Sequence, residues 1–176
     1  MKHQEFYDLI SDVIRSDEFR KMKYHRHHVR SNARDHSIKV AFLCYLYHKK
    51  FSPPIDLREF VRGALLHDYY LYDWHDRARG TRLHLFTHPR HALHNVLKRY
   101  PDLTKTQKDM ILHHMFPLTP VPPLTRAGWL LWFYDKAATI SDYRRPPSHS
   151  RIDLRGHNAR KLLGIAHRTR PHGKRK

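Results

Sequence analysis

The chain of 176 residues has a single cysteine, Cys44. An internal disulfide framework is excluded, and a reducing compartment fits. Glycine is scarce, at six residues, and no Gly/Ser linker or internal repeat divides the chain. No apolar run approaches the roughly 20 residues that a membrane helix needs. The opening MKHQEFYDLISDVI carries acidic residues inside its apolar stretch, which argues against a secretory signal. These absences lead to the expectation of a cytoplasmic protein with no membrane partner. Acidic residues are also few: 16 Asp+Glu stand against 34 Lys+Arg, for a formal net charge of +18. Such a surplus attracts polyanions and anionic small molecules. Nucleic acid is one candidate partner, through the basic surface and the terminal run HRTRPHGKRK. A generally basic, solubilising surface is the plainer account of the same charge.

What is present is enough apolar residue (40%) and aromatic residue (12%) to fill the core of one domain. Apolar spacing is helical nearly throughout, and no stretch alternates as a half-buried strand would. The expected fold is an all-α, single-domain bundle over residues 1–167, with a basic, disordered tail at 168–176. A first helix is predicted from about Gln4 to Phe19, with Phe6, Leu9, Ile10, Val13 and Ile14 as its buried stripe. A second starts at Ser31 or Asn32 and runs to about Lys49. Asp56 caps a third, ending around His67-Asp68-Tyr69. Thr87 and Pro89 open a fourth, where a missing N–H costs nothing. Thr104 and Gln107 have capping-box spacing and open a fifth, through about Met115. Four prolines between 117 and 123 force an extended connector. Thr125 or Arg126 begins a sixth, through about Tyr143, and a weaker helix spans Asp153–Ala166.

Polar residues on apolar helix faces single out candidates for chemistry. Ala33, His36, Val40 and Leu43 share one face, so His36 is directed inward. Gln107, Met110, Ile111 and His114 share another, which turns His113 about 100° away. If that helix is rotated, His113 is the inward residue instead. Leu131, Asp135, Ala138 and Thr139 align, leaving a carboxylate on an apolar stripe, which is costly unless something positive meets it. The run GALLHDYY delivers His67 and Asp68 after core residues. A metal ion accounts for all these placements together, because imidazole and carboxylate suit Mn, Fe, Co or Zn. Helices can converge such ligands in the middle of a bundle.

The ordered blocks DHSIKVAFL, ALLHDYYLYDWH, FTHPRHAL, ILHHMFPLT and YDKAATISD resemble the HD superfamily of metal-dependent phosphohydrolases. They are similar to a bacterial HD-domain subgroup with EHS, LLHD, THP, HMWPLT and DK blocks. The resemblance covers about Tyr24 to Asp142. It implies His36, His67, Asp68 and Asp135 as ligands of a first metal. In the two-metal branches two further histidines follow the His-Asp pair, and the matching positions are His88 and His114. Asp68 then bridges the two ions. One departure is Asp35, where the subgroup has Glu, a change that bears on a contact behind the ligands.

Function follows as an expectation. The resemblance implies hydrolysis of a phosphate ester or anhydride, in a nucleotide or other small phosphorylated anion, with one or two divalent transition metals and Asp68 at the reaction centre. Lys136 either contacts a substrate phosphate or is solvated. His28 resembles a subgroup histidine and either touches substrate, donating a proton, or lies on the surface beside His25 and His27. Trp74 and His75 line a pocket mouth or pack. Two other functions fit the same residues: a di-iron oxygenase on the six candidate ligands, and a nucleic-acid-binding protein with a vestigial site. The other histidines, His84 and His91 among them, read as surface or tail. Cys44 reads as core, and so does the stripe Trp129, Trp132 and Phe133.

Overall fold

Side-chain caps set most of the helix starts. The structure is a computed structural model that describes residues 2–28, 31–72 and 83–143. Helix α3 (Ala33–Phe51) begins behind Asn32, whose Oδ1 accepts the Asp35 N–H at 2.9 Å. Helix α4 (Leu57–Leu66) begins behind Asp56, which accepts the Glu59 N–H at 2.7 Å. Helix α6 (Lys105–His113) has the full reciprocal capping box. Thr104 Oγ1 accepts the Gln107 N–H at 3.1 Å, and Gln107 Oε1 accepts the Thr104 N–H at 3.2 Å. Helix α7 (Arg126–Tyr143) starts behind Thr125, whose Oγ1 accepts the Gly128 N–H at 3.0 Å. These bonds satisfy backbone donors that no helical carbonyl can reach.

Helices α3, α4, α6 and α7 close a ring. Each packs on two neighbours, in the order α3–α4–α6–α7 and back to α3. Helix α1 (Lys2–Ile14) lies against α4, and α5 (His84–Arg99) lies against α6. The core is continuous and includes Phe6, Ile10, Val40, Tyr45, Phe60, Leu65, Met110, Ile111 and Leu131. Burying an aromatic such as Phe6 or Phe60 contributes about 1.5–3 kcal/mol. The expected all-α class is what the described residues show.

Several boundaries differ from those predicted. The first helix is two helices, α1 and the short α2 (Asp17–Lys21), because Ser16 leaves the helical path. Its Oγ caps α2 by accepting the Phe19 N–H at 3.3 Å, and it donates to the Val13 carbonyl at 2.9 Å. The connector after α2 holds a 3₁₀ turn (Met22–Tyr24) and a small antiparallel ribbon, β1 (Arg26–His28) with β2 (Ser31–Asn32). No apolar alternation announces strands this short. Pro89 does not open α5; it lies in the second turn, since the helix begins at His84. The carbonyl left without a helical donor there belongs to Leu85, an exposed residue. The aromatic stripe on α7 is not core. Trp129 is 43% exposed and Phe133 54%, while Trp132 is half-buried with its Nε1–H on the Phe116 carbonyl at 2.6 Å. The buried face of α7 is Ala127, Leu131, Tyr134, Asp135 and Ala138 instead. The weak helix 153–166 and the tail lie outside the described residues.

Candidate metal centre

The ring of helices, with α5 beside it, brings six polar side chains together. His36 comes from the first turns of α3, and His67 is the C-cap of α4 with Asp68 after it. His114 is the C-cap of α6, Asp135 sits midway along α7, and His88 lies on α5. All six are buried. Gly63 lies where α4 meets α6. A Cβ there would fall 2.7 Å from Met110 Sδ. Because the two helices touch, their C-terminal histidines meet, with the His67 and His114 rings 4.9 Å apart and edge to face.

The donors form two groups with Asp68 between them. In the first, His36 Nε2 is 2.9 Å from Asp135 Oδ1, and His67 Nε2 is 3.7 Å from the same oxygen. In the second, His88 Nε2 and His114 Nε2 are 2.9 Å apart, at 3.3 and 3.5 Å from Asp68 Oδ1. The other oxygen, Asp68 Oδ2, is 3.4 Å from His67 Nε2. Two ligand atoms each about 2.1 Å from a common ion lie about 3.0 Å apart at a right angle and about 3.4 Å apart at a tetrahedral one. The observed separations, from 2.9 to 3.7 Å, bracket those two values. Atoms of His36, His67 and Asp135, and again of His67, Asp68 and His114, lie within 4.8 Å of one another, close enough to hold a metal ion.

Hydrogen bonds decide which nitrogen each ring presents. His67 Nδ1 lies 2.8 Å from the Ala64 carbonyl, His88 Nδ1 3.0 Å from that of His84, and His114 Nδ1 2.8 Å from that of Ile111. A carbonyl only accepts, so each Nδ1 carries a proton, and in the neutral ring Nε2 is a lone pair. His67 Nε2 is buried with no hydrogen-bond partner. His88 and His114 point lone pairs at each other unless a proton or a cation lies between them. Such a set of converging acceptors fits a divalent cation.

The titration directions agree with a site of strong mutual fields. Burial pulls the His36 ring down, but the carboxylates of Asp135 and Asp142 outweigh it and raise it to about 9. Burial likewise opposes charge on His67, and Asp68 with Asp135 overcomes it, leaving it raised. His114 goes the other way, to about 4: burial dominates, Asp68 resists it, and His88 and His67 add to it. Burial pushes Asp135 up, yet its bond to His36, the neighbouring His67 ring and the Lys136 charge hold it well below the usual carboxylate range.

Lys136 is committed within the protein. Its Nζ donates to Asp135 Oδ2 at 2.7 Å and to the His114 carbonyl at 3.2 Å. His114, not His113, is the inward residue of the pair. His113 is half-buried and directs Nδ1 at Asp109 Oδ1, 2.7 Å away. His28 is in β1, with its side chain outside the described residues, as are Trp74 and His75. Asp35 is half-buried, held by Arg34 and by its own cap Asn32.

Two residues join the site that sequence reasoning missed. Asp142 lies behind His36, with Oδ2 3.8 Å from His36 Nδ1, and Lys39 bridges Asp142 to the Ala138 carbonyl. Its signal was its place two turns after Asp135. His84, read above as surface, is buried and stacks on His88. It precedes His88 by one helical turn, and that spacing was the available signal. The rings form a file His36–His67–His114–His88–His84, with successive centroids 5.6, 4.9, 4.9 and 4.7 Å apart. Among the described residues, no helix is long and apolar enough to cross a membrane. Comparison of the chain with family models, curated proteins and solved structures returned no match.

Proposed function

We propose that the protein is a metal-dependent phosphohydrolase of the HD type, acting on a phosphate ester or anhydride in a nucleotide or other small phosphorylated anion. One observation carries the reading: Asp68 stands with one oxygen beside His67 and the other beside His88 and His114, as a carboxylate shared by two metals would. The order of the blocks around His36, His67-Asp68, His88, His114 and Asp135 supports the same family. The charge of +18 favours an anionic substrate.

His36, His67, Asp68 and Asp135 would hold one ion, and His88, His114 and Asp68 a second. Divalent metals bound there supply a water acidified toward neutrality and positive charge for the departing oxygen. The chain's own part is to orient. Backbone carbonyls of Ala64, His84 and Ile111 fix three rings in the ligating tautomer. Lys136 holds the outer oxygen of Asp135, so that Oδ1 faces the histidines. Burial of the whole set keeps these dipoles in a low-dielectric site, where they act strongly.

The test is turnover of a nucleotide panel and of bis(p-nitrophenyl) phosphate with Mn, Co, Fe or Zn. Activity with at least one metal, lost in Asp68→Ala, is expected. No turnover of any of them by protein shown to contain metal would overturn the assignment.

A further inference from the structure

We infer that His84, held by Tyr72, is a positioning residue that locks the ring of His88. This rests on the two-metal reading above and extends it to a residue outside the ligand set. His84 begins α5, where a side chain is ordinarily free to face water. Its neighbour Leu83 is 61% exposed, and Leu85 and Phe86 are exposed as well. The His84 side chain alone turns inward there, to 6% exposure.

His84 grips His88 in two ways. Its carbonyl takes the His88 Nδ1–H at 3.0 Å, which sets the tautomer only for as long as the ring is held in that orientation. Its ring lies 4.7 Å from the His88 ring with only 25° between planes, which blocks rotation of His88 about its terminal torsion. Any residue could supply the carbonyl. Only a flat ring supplies the stack. Edge-on contact from Tyr70, 5.8 Å from His88, closes another side.

His84 is itself held. The Tyr72 hydroxyl is 2.9 Å from His84 Nδ1, and the rings of Tyr70 and Tyr72 meet it edge to face at 4.9 and 5.5 Å. Both tyrosines are delivered by an unusual backbone. Leu71 between them has φ 58, a left-handed conformation unfavourable for a branched side chain. Asn95 secures the preceding segment by donating to the carbonyls of Tyr69 and Tyr70 at 3.2 and 2.8 Å. The strained turn, the two tyrosines and His84 converge on the one candidate ligand that comes from α5, a helix outside the ring. That ligand stands outside the four-helix ring, and the aromatic clamp supplies its support.

The experiment uses the full chain, stripped with chelator and titrated with Co(II), in wild type, His84→Ala, His84→Phe, Tyr72→Phe and His88→Ala. Folding is checked by circular dichroism. Stoichiometry and the visible Co(II) spectrum report the two halves. The tautomer of His88 in the metal-free chain, by ¹⁵N NMR of the imidazoles, reports ring locking without metal. In His84→Ala the first Co(II) is expected to bind unchanged. The second should weaken at least about ten-fold, with the spectrum shifting toward that of His88→Ala and the single His88 tautomer signal lost. His84→Phe keeps a flat ring and should restore most of the second-site affinity. Tyr72→Phe should fall between them. Wild-type affinity, spectrum and tautomer in His84→Ala, or damage in His84→Phe equal to that in His84→Ala, would overturn the inference. A wild-type chain that takes fewer than two ions, yet loses its His88 tautomer in His84→Ala, refutes the two-metal reading and leaves the clamp standing.

Discussion

Replacing Gly128 by alanine would put a methyl carbon 2.5 Å from Asp109 Oδ2, 3.0 Å from Pro123 Cβ and 3.2 Å from Thr125 Oγ1. Asp109 cannot yield cheaply. It accepts the Leu124 N–H and the Thr125 N–H, both at 2.9 Å, the Thr125 hydroxyl at 2.6 Å and His113 Nδ1 at 2.7 Å. The three bonds from Leu124 and Thr125 tie α6, which carries His114, to the start of α7, which carries Asp135. At about 1 kcal/mol net for each of four bonds, Asp109→Ala should cost about 4 kcal/mol. In Gly128→Ala the gain in helix propensity, about 1 kcal/mol, opposes overpacking of about 1–3 kcal/mol and displaced Asp109 bonds of about 1 kcal/mol each. The net should be a loss of about 2–3 kcal/mol, a fall in Tm of about 4–12 °C for a chain this size. With Asp109 already replaced by alanine the main clash is gone, and the same glycine change should cost less than about 1 kcal/mol. Urea unfolding of the four chains measures the coupling. A stable Gly128→Ala, or costs that add within about 0.5 kcal/mol, would refute this account of the α6–α7 junction.

Other predictions follow from the same structure. Burial opposes charge on Asp109, but Thr125, His113 and two backbone donors outweigh it and lower its pKa. Its stabilisation is therefore full above the unfolded value of about 3.9 and is lost as pH falls through the lower folded value, so wild type should lose more stability than Asp109→Asn on acid titration. Lys136→Met leaves Asp135 Oδ2 without its 2.7 Å donor; metal affinity should drop about ten-fold, as measured by chelator competition, with little change in helicity. Asp56→Ala removes the α4 cap and should cost about 1 kcal/mol in urea unfolding. Phe133→Lys should change stability by less than about 0.5 kcal/mol, because the ring faces water; a loss of core size would return the α7 stripe to the interior.

Local order was legible in the sequence because it is set within about four residues. Asn32, Asp56 and the Thr104/Gln107 pair each act on a backbone N–H three positions on. Helical period alone turned His36 and Asp135 inward, since an apolar face has to be buried and carries its polar member with it, while the choice of His114 over His113 waited on the packing of α6. Period could not say which of two apolar stripes on α7 would be covered, the aromatic one or that of Leu131. That choice belongs to α3 and α6, which pack on the side of Leu131 and Asp135 and leave Trp129 and Phe133 in water. Nor could it show that α1 ends at Ile14, where Ser16 starts a new helix behind it. The burial of His84 depends on Tyr72, twelve residues away in the chain. The meeting of His36 with Asp135 spans 99 positions. A sequence specifies which face of each helix seeks the interior. Which side chains then come within 3 Å is decided when the helices pack, because only closure of the ring sets the distances between them.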